Sequence, residues 1–392
     1  MLEVAAGKTT HTITREELLR RAEALVPVLH ARSEQSEKLR VCPPETVDDF
    51  IANGLLRISQ PARYGGYEQD YDMLCEVVQT LARGCGSQAW VHMVLADNTL
   101  KLAAYSQQAQ EDVWGKDRNA KLSNAVNPVG RGKPVDRGVV WSGRHQFSSG
   151  VDHADWVMAA GHIERGDRKQ ACSVLVPRGY ITIVDDWHVV GLAGTGSKTF
   201  EIKNAFVPEH RILDKKSADE GRAPGTQLYS APVFHLPRGG ASTASFTAVA
   251  VGVAEGFLQE YCKYTAPRKS RGTSIAELPG TQLFAGISAA EVEAASRMYL
   301  GVLRELMGTL ARKEKVTRQQ QLQGRRNCAY AAQLSITAVQ RLFNAAGGRA
   351  LYLDNVLQRQ FRDCYAAAAH HSLMWDTAAM DYGRYALGLD DA

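Results

Sequence analysis

A change of period is the feature that most constrains this chain. From about residue 119 to 215, short apolar runs alternate with turn residues, whereas both flanks carry helical spacing. In Thr199 to Phe206, Phe200 and Ile202 fall on one side and Glu201 and Lys203 on the other, the pattern of a half-buried strand. Val139–Trp141, Trp156–Ala160, Cys172–Val176 and Ile181–Val184 are further strand segments. Turns are predicted at Ser142-Gly143, Ser149-Gly150, Pro177-Arg178-Gly179 and Gly194-Thr195-Gly196. This spacing suggests a small β-barrel or sandwich.

Before it, Thr14-Arg15-Glu16-Glu17 has the form of a capping box ahead of Leu18, Leu19, Ala22 and Leu25. Pro43-Pro44 opens a second helix that stops at Gly54. Others are predicted over Tyr71–Leu81, about Ala89–Ala104, and Ala109–Trp114. After it, Ala295, Tyr299, Val302, Leu306 and Leu310 share one helical face. Proline-free stretches from Gly286 to Gly324 and from Arg325 to Phe343 predict long helices in a bundle. Asp214 to Thr226 reads as a linker or mobile loop. The expected fold is α+β, mainly α: a helical domain over 1–118, a β-domain over 119–215 and a helical bundle over 216–392.

Composition narrows the function classes. The net charge of +4 comes from 46 basic and 42 acidic residues without a like-charge block, which argues against a nucleic-acid partner. No apolar run approaches the roughly 20 residues of a membrane span, and Glu3, Lys8, Thr9 and Thr10 leave no signal-peptide core. The seven cysteines include no CxxC pair, which points to a reducing cytoplasm rather than disulfides or zinc. Neither GxGxxG, HExxH nor GxSxG stands in a suitable context, so no nicotinamide domain, metalloprotease site or nucleophile elbow is expected.

Several strings, in order and across nearly the whole chain, resemble the flavin-dependent aromatic monooxygenases built on the acyl-CoA dehydrogenase fold. They are Ser142-Gly143-Arg144-His145-Gln146-Phe147-Ser148-Ser149-Gly150 with His153, Asp155 and Trp156, then Trp187 with Gly191 to Ser197, and Phe206-Val207-Pro208 with Arg211. Gly347-Gly348 precedes Arg362-Asp363, and His370, Tyr382 and Gly383 close the pattern. The dehydrogenases of this fold carry a catalytic glutamate near the position of His371. Here His370 and His371 stand with no acid before Asp376, so the chain lacks the base for proton removal beside a thioester.

The resemblance implies reduced FMN or FADH2 and O2 as co-reactants, acting through a flavin C4a-hydroperoxide on a small aromatic substrate (a phenol, an indole or a polyketide-type ring). It also implies a separate NAD(P)H-dependent flavin reductase and a homotetramer. An acyl-CoA dehydrogenase, or an enzyme of this fold oxidising nitrogen or sulfur, is the alternative. Ser148 would hold the flavin N5 edge, with Ser149 as the substitute, and His370 would sit near the oxygen adduct, with His371 pointing elsewhere on a helix. Ser123 would touch the substrate hydroxyl. Asn98 stands where phenol-hydroxylating relatives carry a histidine; it cannot take a proton, so either the substrate is a different aromatic, such as an indole or a polyketide-derived ring, or His92 or Asp97 supplies the base. Gly194, Thr195, Gly196 and Ser197 would offer groups to the flavin, Trp156 and Trp187 would wall its ring, and Arg268, with Arg271 as an equal chemical competitor, would meet its phosphate or ring edge, often across a subunit boundary.

Overall fold

The computed structural model describes residues 13–166, 168–237 and 243–389, and the expected order of elements holds. Six helices come first: α1 (Arg15–Ala31), α2 (Ser33–Leu39), α3 (Pro44–Ala52), α4 (Tyr71–Ala82), α5 (Gly86–Leu102) and α6 (Gln107–Trp114). Thr14 caps α1 by accepting from the Glu17 amide. Helix α2 is unforeseen; six of its seven residues are polar or charged, and Leu39 alone makes no apolar stripe. The N-terminal residues Glu3, Lys8, Thr9 and Thr10 lie outside the described residues.

A single seven-stranded mixed sheet follows, made of β1 (Leu122–Val135), β2 (Gly138–Ser148), β3 (Trp156–Arg165), β4 (Arg168–Pro177), β5 (Ile181–Val184), β6 (Lys198–Pro208) and β7 (Ile212–Asp214). Its order is β5-β6-β2-β1-β3-β4-β7, with β1 and β3 parallel and the other pairs antiparallel. Phe200 and Ile202 are buried as the alternation required, in a core with Trp141, Val157 and Val174. Ser142-Gly143, read as a turn, lies inside β2, where the register with β6 shifts between Trp141 and Gly143. A bulge and a turn draw on the same small and polar residues, which explains the misreading.

The segment after β7, read as a loop, contains α7 (Lys215–Asp219), started by the Asp214 carboxylate accepting from the Ser217 amide. The last part comprises α8 (Ala244–Thr265), a hairpin of β8 (Lys269–Ser270) and β9 (Thr273–Ser274), α9 (Pro279–Ala311), α10 (Arg318–Ala346), α11 (Val356–Ala368) and α12 (Trp375–Ala386). The two long helices divide at residues 312–317, not near Gly324, because Thr317 and Gln320 form a complete capping box. Among the described residues no helix is long and apolar enough to cross a membrane. Helix α8 packs against α4, α5, α9, α10 and α11, and joins the helical parts into one core.

Candidate active site

Helix α5 sets the site. At about 100° per residue, Val94, Asp97 and Lys101 fall within about 40° of Trp90, with Asn98 about 80° away. On this face the Trp90 indole lies 5.9 Å from the His370 ring, which itself stacks on Phe246 of α8 at 3.9 Å between centroids. His370 follows the C-terminal end of α11, and its Nδ1 accepts from the Ser372 amide. Burial, with further contributions from His371 and Lys101, pushes its pKa down to about 4. The ring is therefore neutral near pH 7, and since Nδ1 accepts, the proton sits on Nε2, a donor.

From Trp90 a hydrogen-bond chain runs into the sheet domain. Trp90 Nε1 donates to Ser149 Oγ (3.0 Å), which lies 2.7 Å from Ser197 Oγ, itself 2.7 Å from Thr195 Oγ1. Thr195 gives its proton to the Leu192 carbonyl (2.8 Å), and an indole N–H only donates, so every hydroxyl in the series points one way. The protons of Ser149, Ser197 and Thr195 are thus all committed. Leu192 closes the series: its amide donates to Asp363 Oδ1 at 2.7 Å. Asp363 is buried, and desolvation pushes its carboxyl up to about 6. Gly194 serves close packing, since a Cβ there would lie 2.1 Å from Ser36 Oγ on α2.

A second pair sits beside this chain. Ser123 Oγ and Ser148 Oγ are 2.7 Å apart, and Ser123 donates to the Ser149 carbonyl at 2.8 Å. Ser148 must then give its proton to Ser123, which leaves its oxygen as an acceptor. That suits the N5–H of a reduced flavin, a donor, better than the bare N5 of an oxidised one. Both serines are fully buried, so a ring reaches Ser148 only by displacing its cover. Just before it, Phe147 has φ 61° and is 63% exposed, edge-on to Trp187 at 6.1 Å. A left-handed aromatic residue at a strand end carries local strain, here spent on holding an apolar ring outward.

His92, Trp156 and Arg268 are not brought to this cluster. His92 lies about 200° around α5 from Trp90. Its Nε2 donates to the Leu55 carbonyl (3.0 Å), its ring meets Phe50, and burial pushes its pKa down to about 4. Leu122 pairs with Trp156 and Ser123 with Val157, so Trp156 points to the face opposite Ser123 and lies under Arg211 at 5.0 Å. Arg268 donates to the Ala346 carbonyl (2.7 Å) and stacks on Tyr264 beyond the end of α8. It is about 30 Å along that helix from Phe246.

Asn98 is buried. Its amide donates to the Leu122 carbonyl at 2.8 Å, which ties α5 to β1. Three groups on the site face escaped the sequence reading. Lys101 donates to Asp97 (2.7 Å) and Asn98 (3.1 Å), and the buried Tyr71 hydroxyl donates to Asp97 at 3.1 Å. Phe246 completes the set, stacked on His370. The i, i+4 spacing of Asp97 to Lys101 was a signal for the first. Nothing local marks Tyr71 or Phe246, which arrive from other helices.

Models of the acyl-CoA dehydrogenase N-terminal and C-terminal domains match residues 9–116 and 244–375. The oxygenase subunit HsaA of a flavin-dependent monooxygenase from Rhodococcus jostii is 34% identical over 95% of this chain and 98% of its own length. The oxygenase component of an FADH2-dependent resorcinol hydroxylase from a Rhizobium species is 32% identical over 95% of this chain and 94% of its own. The crystal structure of a 3-HSA hydroxylase from Rhodococcus sp. RHA1 superimposes with a TM-score of 0.91, at 32% identity, covering 95% of this chain and 97% of that one. With this fold, and with a histidine where the dehydrogenases place a glutamate, the chain belongs to the flavin-dependent monooxygenases of the acyl-CoA dehydrogenase fold.

Proposed function

We propose that this chain is the oxygenase component of a two-component aromatic hydroxylase. The observation that carries this reading is His370: neutral, held as the Nε2–H tautomer, and packed against Phe246 and Trp90 beside the serine cluster. Reduced FMN or FADH2, supplied by a separate NAD(P)H-dependent reductase, provides the electrons with which O2 delivers one oxygen atom to an aromatic ring. Ser148 accepts from flavin N5–H, with its oxygen aimed by Ser123. His370 would offer its Nε2–H as a donor to the reacting oxygen when flavin is bound, and Trp90 and Phe246 would keep water away.

Arg268, distant from His370 within one chain, serves the flavin of a neighbouring copy in a homotetramer. Exposed Leu283, Phe284 and Ile287 on α9 and Met380 on α12 supply apolar surface for that assembly. The seven free cysteines, six of them buried, support a reducing cytoplasm.

The test is anaerobic loading with reduced FMN or FAD, then mixing with ¹⁸O2 and a panel of phenols. One ¹⁸O atom in a hydroxylated product is the expected result. Tightly bound FAD that is bleached by an acyl-CoA would overturn the reading in favour of a dehydrogenase.

Two outcomes separate the histidines. Because His370 stays neutral down to about pH 4, the pH profile of product formation shows no break near 6.5, the ordinary histidine value. A break there that disappears in His370→Gln would refute this. His92→Phe keeps product yield per O2 within about twofold of wild type, while loss of the bond to Leu55 destabilises the fold by about 1–3 kcal/mol in urea. A collapse in yield would place His92 in the chemistry.

A further inference from the structure

The polar end of α5 is built differently from a surface ion pair. An Asp–Lys pair four residues apart on an exposed helix contributes a few tenths of a kcal/mol and commonly has no further role. Here Asp97 is anchored from the interior by the Tyr71 hydroxyl at 3.1 Å, and its side chain is only 12% exposed. Lys101 is 27% exposed and gives one proton to Asp97 Oδ2 at 2.7 Å and one to Asn98 Oδ1 at 3.1 Å. An ammonium has three, so one donor remains. The pair shares the α5 face of Trp90, and the Lys101 charge is felt by the His370 ring. The site histidine cannot act as a base in this state: Nδ1 already accepts from the Ser372 amide and Nε2 carries the proton.

We propose that Asp97 and Lys101 form the subsite for the substrate oxygen, and that the substrate is an aromatic ring bearing an ionisable hydroxyl. The assignment rests on the hydroxylase reading above. The phenol O–H bond breaks, its proton joins the Asp97 carboxylate, and the electron pair stays on the phenol oxygen. Lys101 remains an ammonium and exchanges its carboxylate partner for the phenolate. One positive and one negative charge are present before and after, so the exchange buries no additional charge. The phenolate then spreads its electrons onto the ortho and para carbons, which makes the ring the nucleophile that oxygen transfer needs. Asn98, with its amide fixed on β1, keeps Lys101 turned toward this position.

The probe is 4-nitrophenol, whose visible band distinguishes phenolate from phenol, titrated into the flavin-free full chain about one pH unit below the probe's own pKa. Wild type is expected to bind it as the phenolate. Lys101→Met loses the phenolate band and binds at least about tenfold more weakly, Lys101→Arg restores the band, and Asp97→Asn binds the phenolate only with release of the phenol proton to solvent, so that its affinity falls about tenfold per pH unit below the probe's pKa where that of wild type does not. A neutral phenol spectrum in wild type, an unchanged band in Lys101→Met, or no binding of the probe would each overturn the assignment. If wild type incorporates ¹⁸O into phenols but binds the probe only as neutral phenol, this subsite fails and the hydroxylase reading stands. If the probe binds as phenolate and no ring is oxygenated, the reverse holds.

Discussion

Replacing His370 with alanine is expected to lower product formation about 100-fold while O2 consumption continues, with hydrogen peroxide as the main outcome. Two losses combine. The Nε2–H donor disappears from a water-poor site, where one aimed donor is typically worth two to three orders of magnitude in rate. The ring stacked 3.9 Å from Phe246 and lying 5.9 Å from Trp90 also leaves a hole beside them through which water enters. Oxygen electrode traces paired with peroxide and product assays check this. His370→Gln, which keeps an N–H donor, is expected to recover part of the yield. Wild-type coupling in His370→Ala would remove this residue from the oxygen-transfer step.

Asp363→Ala is expected to produce the largest loss of stability among the site variants. It removes the buried acceptor of the Leu192 amide at 2.7 Å and leaves that amide without a partner, at a cost of about 2–4 kcal/mol with the small cavity included. Asp363→Asn keeps an oxygen acceptor and is expected to recover most of this at neutral pH. The pH dependence has a definite sign. The Asp363 carboxyl is raised to about 6 from an ordinary 3.8, so the folded chain binds the extra proton between those values. Its contribution is therefore most favourable below about pH 4 and declines as pH rises through 6. Wild type minus Asp363→Asn, measured by urea unfolding across that window, should follow this slope. A flat difference would mean that Asp363 titrates normally.

Much of this was readable from residue patterns, because period is a local property. Phe200 and Ile202 alternate into the sheet core, and the capping residue Thr14 starts α1 as written. His92 shows what reading by proximity misses: it is near Asn98 in sequence, yet its angle of about 200° from Trp90 puts it on the opposite face of α5. That geometry was available without coordinates. The commitment of Ser149, Ser197 and Thr195 was not, because the direction of each hydroxyl depends on a chain from Trp90 to Leu192 that joins segments more than 100 residues apart. Trp156 and Arg268 matched their strings, but which sheet face and which end of α8 they occupy is decided only by tertiary packing.

Leu192 also offers a gauge of how the molecule breathes. Its amide proton is held by a carboxylate on α11, while its carbonyl ends a one-way series that begins on α5. Deuterium therefore reaches that single amide only when its bond to Asp363 opens. Its exchange reads the population of that opening, and a flavin that seats against the loop should slow it.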